Sequence, residues 1–97
     1  MKNILLIIAL LSTASLADVK KGKKIYLKKL KAPCGVNGVV FAHKHTQDEW
    51  ENIFESGNFK KEVIKICPKA KLRNKYENDV YDFAYEYASD SGNVPSC

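Results

Sequence analysis

Between Val19 and Lys31 the apolar positions fall at Gly22, Ile25, Tyr26, Leu27 and Leu30 with lysines between them. That is the i, i+3, i+4 recurrence of an amphipathic helix. Asp18 stands where a helix-start residue belongs, and Pro33 predicts the end of the helix, because a proline ring donates no N–H and clashes with the carbonyl four residues back. From Ala32 to Lys44 the residues Gly35, Asn37 and Gly38 predict a loop. The helical pattern resumes at Thr46. Thr46 and Glu49 have the spacing of a capping box, and Trp50, Ile53 and Phe54 follow on one face until Gly57 predicts a stop. Asn58 is the expected cap of a third helix bearing Phe59, Val63, Ile66 and Cys67 and closed by Pro68. Lys69 to Lys75 reads as a basic linker. A fourth helix is predicted from about Glu77 to Ser89, with Val80, Phe83, Ala84 and Tyr87 inward and Tyr81, Tyr85 and Ala88 broadening the apolar surface. No run alternates with period two as a strand does. The expected fold class is all-α, a small orthogonal helical domain of about four helices.

One apolar run stands outside this pattern. Lys2 precedes Ile4 to Leu11, and Ser12 to Ala17 then turns small and polar, with Ser15 and Ala17 at the −3 and −1 positions of a signal-peptidase site. Residues 1–17 are therefore expected to be a cleaved signal peptide, and residues 18–97 a single helical domain delivered to the periplasm. The run is shorter than the roughly 20 apolar residues of a spanning helix, and no second one follows, so no permanent membrane anchor is expected. No cysteine follows the cut site to carry a lipid.

Export changes the reading of the cysteines and the charge. Cys34, Cys67 and Cys97 all lie after the leader, in a domain small enough to need a staple, and an oxidising compartment favours a disulfide. Three pairings remain open, and each leaves one thiol over. Without Lys2, the 16 basic residues become 15 against 11 acidic ones, a charge of +4. The distribution is uneven: residues 18–45 hold eight lysines and one acid, whereas residues 46–97 hold seven basic and ten acidic groups. The basic first third, with Lys20, Lys21, Lys23, Lys24, Lys28 and Lys29 on helix one, suits an acidic protein partner; nucleic acid is excluded by export.

Gly22-x-x-Ile25-Tyr26 followed by a cysteine after the helix, His45-Thr46-x-x-Glu49-Trp50, and an aromatic-rich last helix together resemble the small periplasmic class I cytochromes c of bacteria. The resemblance spans nearly the whole mature chain in element order. It implies that Gly22 lets the first and last helices cross closely, with Tyr26 and either Phe83 or Tyr87 packed at the crossing. It also implies a lysine-rich rim that meets acidic redox partners. Haem attachment in that family resembles Cys-x-x-Cys-His, where two thiols form thioethers and the imidazole binds iron. Here the matching stretch reads Cys34-Gly35-Val36-Asn37-Gly38, with an amide in place of the second thiol and no side chain in place of the imidazole. The usual distal ligand is a methionine, and Met1 leaves with the leader. Covalent haem c is therefore not expected. The degenerate attachment position is Cys34.

Other chemistries stay open. A single thioether at Cys34 with His43 or His45 on the iron describes an electron carrier with atypical haem ligation, and the same Cys and His residues describe a thiol or transition-metal protein. No Cys-x-x-Cys, paired carboxylates, Ser/His/Asp set or phosphate loop is recognisable, so an enzyme is not expected. The sequence thus points to a non-enzymatic periplasmic binding or accessory module near electron-transfer partners. It does not indicate an oligomeric state.

Overall fold

The computed structural model describes residues 16–94 and is all-α. Helix α1 (Leu16–Ile25) passes without interruption into a π-helical segment, Tyr26–Leu30, and then into the short α2 (Lys31–Cys34). The first helical rod therefore starts before Val19 and runs past Pro33. Asp18 lies within its first turn rather than capping it. Pro33 is accommodated because the helix restarts after the π segment: it falls in the first turn of α2, where no N–H is needed from it. The actual stop is Gly35, whose left-handed φ of 78° suits a residue without a Cβ.

The expected loop over residues 32–44 contains a further helix, α3 (Gly38–Ala42). Asn37 caps it by accepting the Val40 N–H at 3.0 Å, a turn of chain that buries Gly38, Phe41 and Ala42. Helix α4 (Gln47–Glu55) has the capping box read from the sequence. Thr46 Oγ1 accepts the Glu49 N–H at 3.2 Å, and the Thr46 N–H donates to Glu49 Oε1 at 2.9 Å. Gly57, at φ 81°, turns the chain into α5 (Phe59–Ile66). Asn58 does not cap α5 with its side chain; that amide donates to Ser56 Oγ instead.

The basic linker is more ordered than its composition suggests. Ala70 and Leu72 are buried while Lys71 and Arg73 are exposed, so from Ala70 onward this short strap alternates like an extended chain laid against the core; the exposed Lys69 stands in the turn that the Ala70 N–H closes on the Cys67 carbonyl at 2.9 Å. A 3₁₀ turn, Asn74–Tyr76, leads into α6 (Glu77–Glu86), which ends three residues before Ser89, with Tyr87 half-buried at its C-cap.

Helices α1 and α6 cross at Gly22. A Cβ built there lies 1.9 Å from the Asp79 carbonyl oxygen and 2.9 Å from Phe83 Cβ, so the two backbones approach to a distance only glycine allows. One turn on, the Tyr26 and Phe83 rings stack with centroids 5.8 Å apart and planes at 21°. From Tyr26 a chain of aromatic contacts runs through Phe41 (5.0 Å), Trp50 (5.5 Å) and Phe59 (5.6 Å). All these rings are fully buried. Large rings remove the most apolar area from water per residue ordered, which is how so short a chain fills its interior. Leu27, placed on the apolar stripe by spacing alone, is exposed, and Ile53 and Phe54 are only half-buried.

Candidate functional site

The stretch from Cys34 to Gly38 is where the sequence pattern departs from a haem-attachment site, and its local chemistry is fully committed. Cys34 is joined to Cys67 by a disulfide that ties the end of the first helical rod to the end of α5, with a Cα–Cα distance of 4.4 Å. Of the three pairings left open, this is the one formed; Cys97 lies outside the described residues, as do residues 1–15 of the expected leader. The Val36 carbonyl accepts the Tyr26 hydroxyl proton at 2.6 Å, so the turn is anchored to the aromatic that packs at the helix crossing. Asn37 is a helix cap and Gly38 the buried first residue of α3.

His45 is held at the start of α4 by carboxylates. Its Nε2 lies 2.7 Å from Glu62 Oε2 on α5, its Nδ1 lies 3.5 Å from Glu49 Oε1, and its ring edge meets Trp50 with centroids 4.8 Å apart. The Thr46 N–H is the main cause that holds the Glu49 carboxyl below its ordinary range, with His45 adding to it. The His45 carbonyl accepts the Ser89 N–H at 3.1 Å, and the Gln47 N–H donates to Asp90 Oδ1 at 2.9 Å. The imidazole thus pins α4 to α5 while its backbone pins the segment after α6. His43 is exposed and separate from this group. Among the described residues, no three His, Cys, Asp or Glu side chains converge in a way that could hold a metal ion.

Trp50 is fully buried and donates its indole N–H to the Ala42 carbonyl at 2.9 Å. Tyr81 stacks on Phe54 at 4.1 Å, and burial, aided by the charge of Glu51, pushes its phenol up from the ordinary value.

The six lysines of helix one divide among three environments. Lys21 reaches Asp79 on α6 at 3.6 Å, across the crossing. Lys20, Lys23, Lys24 and Lys28 surround the exposed side chain of Leu27 in a surface hollow. Lys29 faces a different cleft, shared with the strap. Among the described residues no carboxylate forms an ion pair with Lys20, Lys24 or Lys28. The hollow thus sets four cations around one exposed apolar side chain.

No family model, curated protein or solved structure matches the chain. The residues present do not fit a thioether-linked haem: the Cys34 sulfur is spent on Cys67, Asn37 caps a helix, and Gly38 has no donor. The interior that would have to receive a porphyrin is filled by Tyr26, Phe41, Trp50 and Phe59. Nor does Cys34 have a thiolate to offer a metal while the disulfide stands.

Two features escaped sequence reasoning. The inward placement of Ala70 and Leu72 was hidden by the surrounding cations, although their two-residue spacing was there to be read. The pairing of Lys21 with Asp79 had no signal in the sequence, because it depends on how α1 and α6 cross. Among the described residues, no helix is long and apolar enough to cross a membrane.

Proposed function

We propose that this chain is an exported, haem-free helical module, related in architecture to the class I cytochromes c. In this reading it docks an acidic periplasmic protein through the outer face of α1 and performs no catalysis of its own. The observation that carries the proposal is the set of Lys20, Lys23, Lys24 and Lys28 around the exposed Leu27. Like charges held together with few local carboxylates raise the potential over that face, which steers an acidic partner and sets register more than it adds affinity. Further support comes from the Gly22 crossing with Tyr26 stacked on Phe83, the arrangement that the cytochrome resemblance implies. The spent sulfur of Cys34 supports the haem-free part of the reading.

Two measurements test it. The mature protein purified from its native compartment is expected to be colourless, and a thioether-bound haem spectrum overturns the haem-free reading in favour of an electron carrier. Zero-length carbodiimide coupling of lysine amines to partner carboxylates in intact cells is expected to map to Lys20, Lys24 and Lys28 and to fade with added salt, since exposed charges are screened over about 8 Å at physiological ionic strength. Coupling that maps elsewhere, or that ignores salt, removes the docking surface. The charge-reversal pair Lys24→Glu with Lys28→Glu is expected to abolish the coupling while shifting stability by less than about 0.5 kcal/mol, as exposed substitutions do.

A further inference from the structure

We infer that the cleft between the first helical rod and the Lys69–Arg73 strap is a binding site for a single-chain anionic amphiphile, a carboxylic acid on a hydrocarbon tail. This site is separate from the lysine hollow around Leu27 and does not depend on that hollow being a docking surface.

An extended chain sends successive side chains to opposite sides, so burying Ala70 and Leu72 turns Lys71 and Arg73 outward together, while the exposed Lys69 stands in the turn just before them. Lys29 faces them from the helix. Between these cations lies a cleft of about 370 Å³ whose floor is Ile25, Leu30, Leu72 and the ring of Tyr76. Its lining includes no acidic residue, and among the described residues no carboxylate pairs with any of its four cations. Four cations over an apolar floor carry unbalanced charge, and the ligand that balances both features has an anionic head and an apolar body.

The depth of the floor decides between a single molecule and a membrane surface. Leu30 is fully buried and Ile25 and Leu72 are 8% and 5% exposed, so the apolar surface open to a ligand is mostly that of the half-buried Pro33 and Tyr76, and no apolar side chain of the lining protrudes past the cations. A bilayer is met by protruding apolar side chains, whereas a recessed floor is reached by a tail that enters. The volume lies near the lower end of the roughly 300–1,000 Å³ of small-molecule pockets, which suits one short chain.

The test uses the mature protein and decanoate, with 1-decanol and acetate as controls, followed by amide NMR shifts. Decanoate is expected to shift Leu30, Leu72 and Tyr76. It should bind about tenfold or more tightly than decanol, the difference a charge-assisted contact makes. The exposed double variant Lys71→Glu with Arg73→Glu is expected to lose that preference while its circular dichroism stays unchanged. Equal affinity for decanol overturns the proposal, as do equal shifts from acetate, which would indicate a bare counter-ion effect. Shifts centred on Leu27 overturn it too. So does binding to phosphatidylglycerol vesicles without binding of free decanoate, which moves the site to a membrane surface.

Discussion

The Gly22 crossing lies within the first helical rod and the Cys34–Gly38 turn follows at its end, yet they hold their neighbours by opposite means. At the crossing, contact with α6 depends on atoms that are missing: the space a Cβ would need is taken by the Asp79 carbonyl. At the turn, contact with α5 depends on a bond that is present, the Cys34–Cys67 disulfide, backed by the Tyr26 hydroxyl on Val36 and the Asn37 cap. Two backbones in contact have no slack, whereas a covalent tie and a few hydrogen bonds can be removed one at a time at a finite cost. The crossing should therefore fail as a whole and the turn by degrees.

The sharpest way to break that contrast is Gly22→Val. Its added atoms meet backbone on the facing helix, so α1 and α6 must separate, and the expected result is loss of the cooperative thermal transition. A variant that still melts cooperatively near the wild-type temperature would show that the crossing is not closed. Replacing both Cys34 and Cys67 with serine comes next. A tie across 33 residues contributes roughly 3–4 kcal/mol in the chain-entropy model, so the urea midpoint should fall while the helical circular dichroism is retained below it.

Tyr26→Phe separates the two regions within one side chain. The ring stays at the crossing, and only the hydrogen bond to the turn is lost, so the expected cost is about 1 kcal/mol in urea unfolding. A much larger cost would place the turn's hold on the rod above its hold through the disulfide.

The smallest effect is expected at Asp82 on α6, near the same crossing. Burial first, and then the charges of Asp18 and Asp79, raise its pKa to about 6. A carboxyl with a raised folded-state pKa binds its proton more readily in the native state, so ionising it weakens the fold. The penalty is absent below the ordinary carboxylate range and fully present above about pH 6. Asp82→Asn should raise the melting temperature slightly near neutral pH and leave it unchanged in acid. A gain of the same size at both pH values would mean that the charge is not the cause.

Much of the framework was legible because its signals are local. The capping box needs only Thr46 and Glu49 three positions apart, and it formed with both of its hydrogen bonds. Gly57 stopped α4 because a left-handed turn is a property of one residue. Pro33 misled for the opposite reason: its effect depends on the hydrogen-bond register of the preceding turn, and the π segment changed that register. Asn37 was read as a loop residue, although the same side chain can cap a helix once the chain after it coils. Charge was the least legible feature. Six lysines close in sequence read as one surface, but helical rotation and a neighbouring strap distributed them to an ion pair, a hollow and a cleft.

The sequence by itself determined the all-α class, the burial of Trp50 on α4, of Phe59 and Val63 on α5 and of Val80, Phe83 and Ala84 on α6, and the absence of a second thiol and an imidazole beside Cys34, because these follow from residue type and nearest-neighbour spacing. Tertiary structure alone decided that Cys34 bonds Cys67, that Ala70 and Leu72 turn inward, and which lysines share a surface. Each of those outcomes joins positions far apart in the chain, and such contacts are selected only when the packed core brings them together.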